Sequence, residues 1–178
     1  MHCKSKDETY GMTEKKSAKI KLLILDVDGV LTDGRIILNA RGEETKSFDV
    51  KDGHGLRMLM EAGVMVALVT GRRSEALCRR SEDLGIMELY QGVSDKQSVC
   101  RKLIAEKGLK KQEVCCMGDD LPDLGMFMEA GLKIAVADAA EEVRRASDII
   151  TESKGGHGAV REVCELIIKS QGKWQYGL

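Results

Sequence analysis

Residues 21–34 are Lys21-Leu22-Leu23-Ile24-Leu25-Asp26-Val27-Asp28-Gly29-Val30-Leu31-Thr32-Asp33-Gly34, an apolar run that stops at two carboxylates. Such a run is typical of a strand that is buried on both faces of a parallel sheet. Because residues two apart in an extended chain point the same way, Asp26 and Asp28 can face one small volume. Two carboxylates at close range are costly unless a cation or a proton separates them. We therefore expect this strand to bring paired acids to a divalent metal at a sheet edge.

Three more short apolar runs resemble the first one, and polar residues follow all four. The predicted strands are residues 20–25, 64–69, 114–117 and 134–137, and the polar residues are Asp26, Thr70, Asp119 and Asp138. Between the strands lie helical patterns that stop at glycine, at residues 56–62, 74–84, 96–107 and 121–130, and a last helix is predicted at 158–170. This alternation predicts an α/β fold, a right-handed, doubly wound parallel sheet between two helical layers. In such folds ligands bind beyond the carboxyl ends of the strands.

A predicted β-hairpin interrupts the alternation after the first strand. Residues 35–39 and 43–50 flank Ala40-Arg41-Gly42, a pattern that indicates a three-residue loop with glycine in the left-handed region. The hairpin would project as a flap, at about residues 34–50, beside the acids. Together with one helix it uses most of the chain between Asp28 and Thr70. We therefore expect no cap domain and an open site, unless another subunit covers it.

Composition and charge exclude several classes of protein. The 178 residues carry 28 Lys+Arg and 29 Asp+Glu, a formal net charge of -1, so we expect no nucleic-acid partner and no membrane association. No apolar run approaches the ~20 residues of a transmembrane helix. The six cysteines show no C-x-x-C spacing, which favours reduced thiols and a cytoplasmic protein. Residues 1–18 are charged and poor in apolar side chains, so we expect a disordered or expression-derived extension before a single domain at 19–178.

Four motifs occur in the order and context found in haloacid-dehalogenase-type phosphatases, and the chain resembles that family. They are Asp26-Val27-Asp28-Gly29, Thr70-Gly71-Arg72, Lys96 and Gly118-Asp119-Asp120-Leu121-Pro122-Asp123. Further stretches make the chain similar to the capless branch that contains 3-deoxy-D-manno-octulosonate 8-phosphate phosphatases. These are residues 26–34, Asp52-Gly53, Gln91-Gly92-Val93-Ser94-Asp95-Lys96 and 155–162. The resemblance covers about residues 20–173.

The resemblance implies a Rossmann-like core, a bound Mg²⁺ ion and a homotetramer in which neighbouring flaps and tails help to enclose the sites. It also implies a phosphorylated sugar acid as substrate, in lipopolysaccharide precursor synthesis. The tail from Gly172 contains the only Trp of the chain, Trp174, and would either dock on an adjacent subunit or fray in solvent.

The residue types in these motifs suit phosphate-ester hydrolysis. We expect Asp26 to be the nucleophile that forms an aspartyl-phosphate, and Asp28 to protonate the leaving alcohol and then activate water. Hard oxygen ligands for Mg²⁺ would come from Asp26, the backbone carbonyl of Asp28, and Asp119. Thr70, Gly71 and Lys96 would bind the phosphoryl oxygens. Asp120 and Asp123 would hold Lys96 and metal-bound water, although both positions also suit helix capping.

A sugar acid with a phosphate at one end and a carboxylate at the other needs cations at two separated places. By resemblance, the sugar-acid pocket would be lined by Asp28, Lys51, Asp52, Gly53, Arg57, Arg72 and Arg80, some of them reaching into a neighbour's site. The alternative for each basic residue is a solvated charged face. His157 stands where the family pattern leads us to expect Lys or Arg, and a capping or surface role is as consistent with its position.

Three interpretations of function follow from the sequence. The first is a Mg²⁺-dependent sugar-acid phosphatase. The second is the same enzyme type acting on another small phosphate ester, such as a nine-carbon ulosonate 9-phosphate. The third is a non-catalytic assembly module, against which the intact Asp26, Asp28, Lys96 and Asp119 argue.

Overall fold

The computed structural model describes residues 13–175, and a six-stranded parallel sheet is its centre. The strands are β1 (Leu22–Leu25), β4 (Met65–Thr70), β5 (Glu88–Gln91), β6 (Val114–Gly118), β7 (Leu132–Ala135) and β8 (Ile149–Ile150), in the order β5-β4-β1-β6-β7-β8. A second, antiparallel sheet consists of β2 (Ile37–Leu38) and β3 (Glu44–Thr45).

The apolar run of the sequence forms the middle of the sheet. All four residues of β1 are fully buried, since β4 and β6 pair with it on either side and helices cover both faces. A strand in that position needs apolar side chains on both faces, and for this reason its sequence shows no alternation.

Helices connect successive strands and form two layers. They are α1 (Val50–Glu61), α2 (Glu75–Leu84), α3 (Lys96–Glu106), α4 (Leu124–Phe127), α5 (Glu141–Ala146) and α6 (Ala159–Ser170), with 3₁₀ turns at Lys111–Glu113 and Leu121–Asp123. On one face α1 contacts α2 and α6, and on the other α4 contacts α3 and α5, as right-handed crossovers require. The predicted doubly wound α/β fold is confirmed.

The structure differs from the predicted elements at several places. The outer strands β5 and β8 were not predicted, because β5 is half-buried and half polar and β8 has two residues. Helix α1 begins at Val50 rather than 56, since Asp49 caps it by accepting hydrogen bonds from the amides of Lys51 and Asp52. The helix expected at 121–130 is a 3₁₀ turn followed by one short helix. Gly131 does not have the left-handed φ of a glycine that ends a helix. A Cβ at this position would lie 2.6 Å from the Cα of Gln112, so close packing requires glycine here.

The hairpin occurs where it was predicted, with shorter strands. The two strands pair Ile37 with Thr45 and Leu38 with Glu44, and Gly42 has a φ of 79° as its loop position requires. Within residues 13–175 the chain between β1 and α1 contains this hairpin and no further domain.

The amino-terminal boundary of the fold lies earlier than expected. Residues 13–17 are helical, Ser17 is fully buried, and Lys16 Nζ lies 2.8 Å from Asp148 Oδ1. The expectation of a disordered extension therefore fails for this part of residues 1–18, and residues 1–12 lie outside the described chain. Across the described residues, no helix is long and apolar enough to span a membrane, and Cys78, Cys100, Cys115, Cys116 and Cys164 are free thiols.

Candidate active site

Three neighbouring strands bring polar side chains to one edge of the sheet. Asp26 follows β1, Thr70 ends β4, and Asp119 follows β6. The register aligns the ends of these strands, because Leu25 pairs with Leu68 on one side and with Met117 on the other. The predicted convergence of these residues at the carboxyl edge follows directly from the parallel order.

A carboxylate cluster forms at this edge from Asp26, Asp119 and Asp123. Each offers an oxygen, and these oxygens all lie within 4.8 Å of one another. Asp119 Oδ1 is buried and has no hydrogen-bond partner among the described residues. A Cβ at position 29 would lie 2.1 Å from Asp119 Oδ2, so the lack of a side chain at Gly29 leaves room for this carboxylate. Oxygen ligands of this kind, one of them buried and unpartnered, fit Mg²⁺.

Lys96 is buried against the cluster. Its Nζ donates hydrogen bonds of 2.6 Å to Asp26 Oδ1 and 2.7 Å to Asp123 Oδ1. Asp123 Oδ2 accepts from the amides of Asp119 and Asp120, at 2.9 and 3.2 Å. Both oxygens of Asp123 are therefore engaged, which leaves Asp26 and Asp119 as the carboxylates open to a metal.

Asp120 differs from its predicted role beside Lys96. Its carboxylate accepts a hydrogen bond of 2.8 Å from the amide of Leu121 and caps the 3₁₀ turn that follows. The capping alternative is thus the one that the structure supports for this side chain, whereas Asp123 holds Lys96.

Burial and mutual repulsion raise the pKa values of two cluster carboxyls. Desolvation, and then the charge of Asp123, raise the pKa of Asp26 to about 6, against the opposing effect of Lys96. Desolvation, and then the charges of Asp26 and Asp123, raise the pKa of Asp119 to about 8. Without a metal the cluster therefore favours a proton on Asp119 near neutral pH, and a divalent cation would replace it.

Asp28 lies outside the group of three carboxylates, and its side chain contacts the hairpin and the end of β4. Its Oδ1 accepts a hydrogen bond from Lys46 Nζ, and its Oδ2 lies 3.5 Å from the Thr70 hydroxyl. Lys46 was not among the predicted site residues. Its own segment carries no signal for this role, because its partner Asp28 belongs to another segment.

Arg72 and Gly71 lie beside the cluster, directly after β4. Arg72 Nη2 donates a hydrogen bond of 2.6 Å to Glu44 Oε1, which raises the pKa of the guanidinium and lowers that of the carboxyl. Arg72 Nε lies 3.9 Å from Asp28 Oδ2, and its amide donates to the Thr70 hydroxyl. Of the basic residues predicted to bind a sugar acid, Arg72 is the one that the structure joins to Asp28.

Arg57 and Arg80 lie apart from the cluster and share one carboxylate. Arg57 Nη2 donates to the Asp83 side chain at Oδ1, at 3.3 Å, and to its backbone carbonyl at 2.5 Å. Arg80 Nη1 donates to Asp83 Oδ2 at 2.8 Å. The guanidinium of Arg80 also lies 5.8 Å from the ring centre of Phe48 and close to Gly53, where a Cβ would lie 2.1 Å from Nη2. Lys51, in the first turn of α1, is exposed.

Asp52 is buried and corrects an expectation. Its carboxylate accepts hydrogen bonds from the amides of Gly158 and Arg161, at 3.2 and 2.8 Å, and so caps α6 from the neighbouring helix. Only 1% of the residue is exposed. The side chain is therefore occupied by the fold rather than open to a sugar acid.

The glycines before α6 pack on the loop that carries Asp28. A Cβ at Gly155 would lie 1.7 Å from the carbonyl oxygen of Gly29, and the amide of Gly156 donates to the carbonyl of Val30 at 2.9 Å. The amide of Gly155 donates to Asp138 Oδ1. This loop thus fixes the backbone after the paired acids, while His157 is exposed.

Comparisons with known proteins agree with this geometry. The family model described as haloacid dehalogenase-like hydrolase matches residues 78–163. The 3-deoxy-D-manno-octulosonate 8-phosphate phosphatase KdsC of Yersinia pestis is 45% identical over 159 residues, 89% of this chain and 85% of its own. That of Salmonella typhi is 43% identical over 96% of this chain and 90% of its own.

A solved structure extends the comparison to the ligands. The crystal structure of 3-deoxy-D-manno-octulosonate 8-phosphate phosphatase from Moraxella catarrhalis, in complex with magnesium ion, phosphate ion and KDO, is 45% identical and superposes with a TM-score of 0.89. The superposition covers 94% of each chain.

Proposed function

The chain belongs to the haloacid dehalogenase-like hydrolases and, within them, to the 3-deoxy-D-manno-octulosonate 8-phosphate phosphatases, and from this premise we propose that it releases phosphate from 3-deoxy-D-manno-octulosonate 8-phosphate. The free sugar acid, a lipopolysaccharide precursor, would be the other product. The observation that carries the proposal is the carboxylate cluster, in which Asp26 and Asp119 lie beside the buried ammonium of Lys96.

We assign the metal to Asp26, Asp119 and the backbone carbonyl of Asp28. The unpartnered Oδ1 of Asp119 supports this assignment, as does the room that Gly29 leaves beside it. Bound Mg²⁺ would supply positive charge that lets an anionic nucleophile meet an anionic phosphate.

The two aspartates of the first motif would carry out the chemistry. A carboxylate oxygen of Asp26 bonds to phosphorus while the bond to the sugar oxygen breaks, and Asp28 donates a proton to that oxygen. In the second step Asp28 takes a proton from water, whose oxygen attacks phosphorus and releases Asp26. The separation of the two side chains supports this division, because Asp26 faces Lys96 and Asp28 faces the hairpin.

Thr70, Gly71 and Lys96 would bind the phosphoryl oxygens. Lys96 is buried and already lies within hydrogen-bond distance of Asp26. The Thr70 hydroxyl lies at the end of β4, and Gly71 follows it without a side chain. This arrangement supplies one fixed charge and one hydroxyl donor.

Arg72 is the residue that we assign to the carboxylate of the sugar acid, since it lies next to Asp28. Lys51, Arg57, Arg80 and the backbone at Gly53 lie on α1 and α2, and we propose that they serve the site of a neighbouring subunit in a homotetramer. Exposed apolar side chains on the hairpin support such an assembly: Ile36, Ile37 and Leu38 are 58, 47 and 59% exposed. Free thiols throughout the described chain are consistent with a cytoplasmic enzyme.

A phosphate-release screen tests the proposed function. The protein would be assayed on 3-deoxy-D-manno-octulosonate 8-phosphate, a nine-carbon ulosonate 9-phosphate and simple sugar phosphates, with Mg²⁺ or with EDTA. We expect release from the octulosonate ester that requires Mg²⁺ and is abolished in Asp26→Asn. If the protein prefers another ester, that ester takes the place of the octulosonate ester as the proposed substrate. If no ester releases phosphate, the non-catalytic assembly module becomes the proposed function.

A further inference from the structure

Lys46 is a hairpin residue whose ammonium group is buried beside the candidate active site. Only 3% of its side chain is exposed, although the hairpin is largely open to solvent. Its Nζ donates a hydrogen bond to Asp28 Oδ1 and lies 3.6 Å from Glu44 Oε1. An ammonium is costly to bury unless anions pair with it, so these two carboxylates account for its inward position.

Asp28 is contacted from two opposite sides. Lys46 reaches one carboxylate oxygen from the hairpin, whereas Thr70 and Arg72 lie at 3.5 and 3.9 Å from the other oxygen, at the end of β4. Contacts to both oxygens from different elements restrict rotation of the carboxylate. A general acid transfers its proton efficiently only when it is held within hydrogen-bond reach of the leaving oxygen.

The surrounding charges form a closed network. Arg72 pairs with Glu44, which in turn lies beside Lys46. The formal charges of Asp28, Lys46, Glu44 and Arg72 cancel while Asp28 is ionised, the form in which it would take a proton from water in the second step.

We propose that Lys46 is a positioning residue, which holds the carboxylate of Asp28 at the leaving oxygen of the substrate. The inference rests on the proposed function, in which Asp28 donates a proton to the leaving oxygen of the sugar. It makes the hairpin part of the catalytic apparatus in addition to a cover for the site.

Two phosphate esters separate this role from a purely structural one. A sugar alkoxide needs a proton to leave, whereas the phenolate of p-nitrophenyl phosphate leaves without one. In Lys46→Met we expect kcat/KM for the sugar-acid phosphate to fall by about 10–100-fold, a part of the ~10²–10⁴ of general acid–base catalysis. The value for p-nitrophenyl phosphate should change less than threefold, and Lys46→Arg should restore most of the loss on the sugar-acid phosphate.

Arg41→Met is the matched control, since Arg41 is an exposed basic residue at the hairpin turn. We expect this variant to leave kcat/KM unchanged for both phosphate esters. Circular dichroism and melting temperature establish that each variant is folded, and Lys46→Gln serves as a second replacement if the methionine variant unfolds.

A double-mutant cycle distinguishes action through Asp28 from direct contact with the substrate. Single-turnover release, with enzyme in excess, would be compared for Asp28→Asn with and without Lys46→Met. We expect no further loss in the double variant. An equal loss in both backgrounds, or a Lys46→Met variant with wild-type kcat/KM on the sugar-acid phosphate, would overturn the inference and leave the proposed function intact, whereas an inactive wild-type protein would remove both.

Discussion

Asp123 Oδ2 accepts a hydrogen bond of 2.9 Å from the backbone amide of Asp119, while Asp123 Oδ1 accepts one from Lys96 Nζ. The side chain of Asp123 thereby links the loop after β6 to Lys96. One side chain thus sets the positions of both Asp119, the proposed metal ligand, and Lys96, the proposed phosphate-binding cation. Because both oxygens of Asp123 are used, an amide cannot replace it without placing an N–H group against a donor.

Asp123→Asn should therefore weaken both stability and Mg²⁺ binding. We expect a loss of about 2 kcal/mol in the free energy of unfolding, as is typical when a buried hydrogen bond to a charged group is lost. Mg²⁺ affinity should fall about 10–100-fold. Asp120→Asn is the control, because asparagine caps helices as well as aspartate does. Urea denaturation and calorimetric Mg²⁺ titration measure the two quantities, and equal behaviour of the two variants would contradict the assignment.

The raised pKa values of Asp26 and Asp119 predict that rising pH destabilises the metal-free protein and increases the stabilisation that Mg²⁺ supplies. A carboxyl whose folded pKa lies above its unfolded value stabilises the fold at low pH, and this contribution is lost as pH rises through the folded pKa. The metal-free protein should lose stability between about pH 4 and pH 8 through these two groups. Mg²⁺ competes with the protons, so its stabilising effect should increase over the same range.

Melting temperatures with Mg²⁺ and with EDTA, at pH 5.5 and pH 8.5, measure this difference. We expect a Mg²⁺-induced increase that is larger at the higher pH, and an Asp119→Asn variant that loses most of it. A Mg²⁺-induced increase that is the same at both pH values would show that these carboxyls do not bind the ion.

Gly29→Ala should remove metal binding without unfolding the protein. Gly29 has a φ of 107°, and a Cβ there would lie 2.1 Å from Asp119 Oδ2, so alanine would displace that carboxylate. Gly42→Ala is matched in backbone strain, with a φ of 79°, but meets no atom within 4 Å. Both variants should lose about 1–2 kcal/mol of stability. Only Gly29→Ala should lose the Mg²⁺-induced rise in melting temperature.

Leu38→Glu should dissociate the proposed tetramer. Leu38 is 59% exposed on the hairpin, and a buried carboxylate there would have to be desolvated at an interface. Met87→Glu is the control. Met87 is 90% exposed, but it directly precedes β5 and so lies at the amino ends of the strands, whereas the hairpin follows the carboxyl end of β1. Sedimentation velocity would give the mass of each variant, and a Leu38→Glu protein with the mass of the wild type would exclude the hairpin from the interface.

The sequence predicted the central strands and the convergence of the acids because both follow from simple periodicity. An apolar run without alternation indicates a strand covered on both faces, as for β1, and parallel strands end at a common edge. The edge strands β5 and β8 lack that pattern, since each is only partly buried. Their identification depends on the neighbouring strand, which sequence periodicity does not report.

The convergence of Asp26, Asp119 and Lys96 was predictable although they belong to distant segments, because parallel strands end at one edge of the sheet and each residue stands in a recognisable motif. The role of Asp52 was not predictable from its own segment, since its side chain is buried against the amides of Gly158 and Arg161. Its role depends on how α1 packs on α6. Lys46 was missed for the same reason, because its partner Asp28 belongs to another segment.

The contact between Gly155 and Gly29 has a consequence for the synthesis of the protein. The loop after the catalytic strand is translated early, but the glycines that pack against it belong to the last quarter of the chain. On the ribosome, the contacts that hold this loop can form only after residues 155 and 156 have emerged. A nascent chain can therefore form much of its sheet before it becomes competent for catalysis.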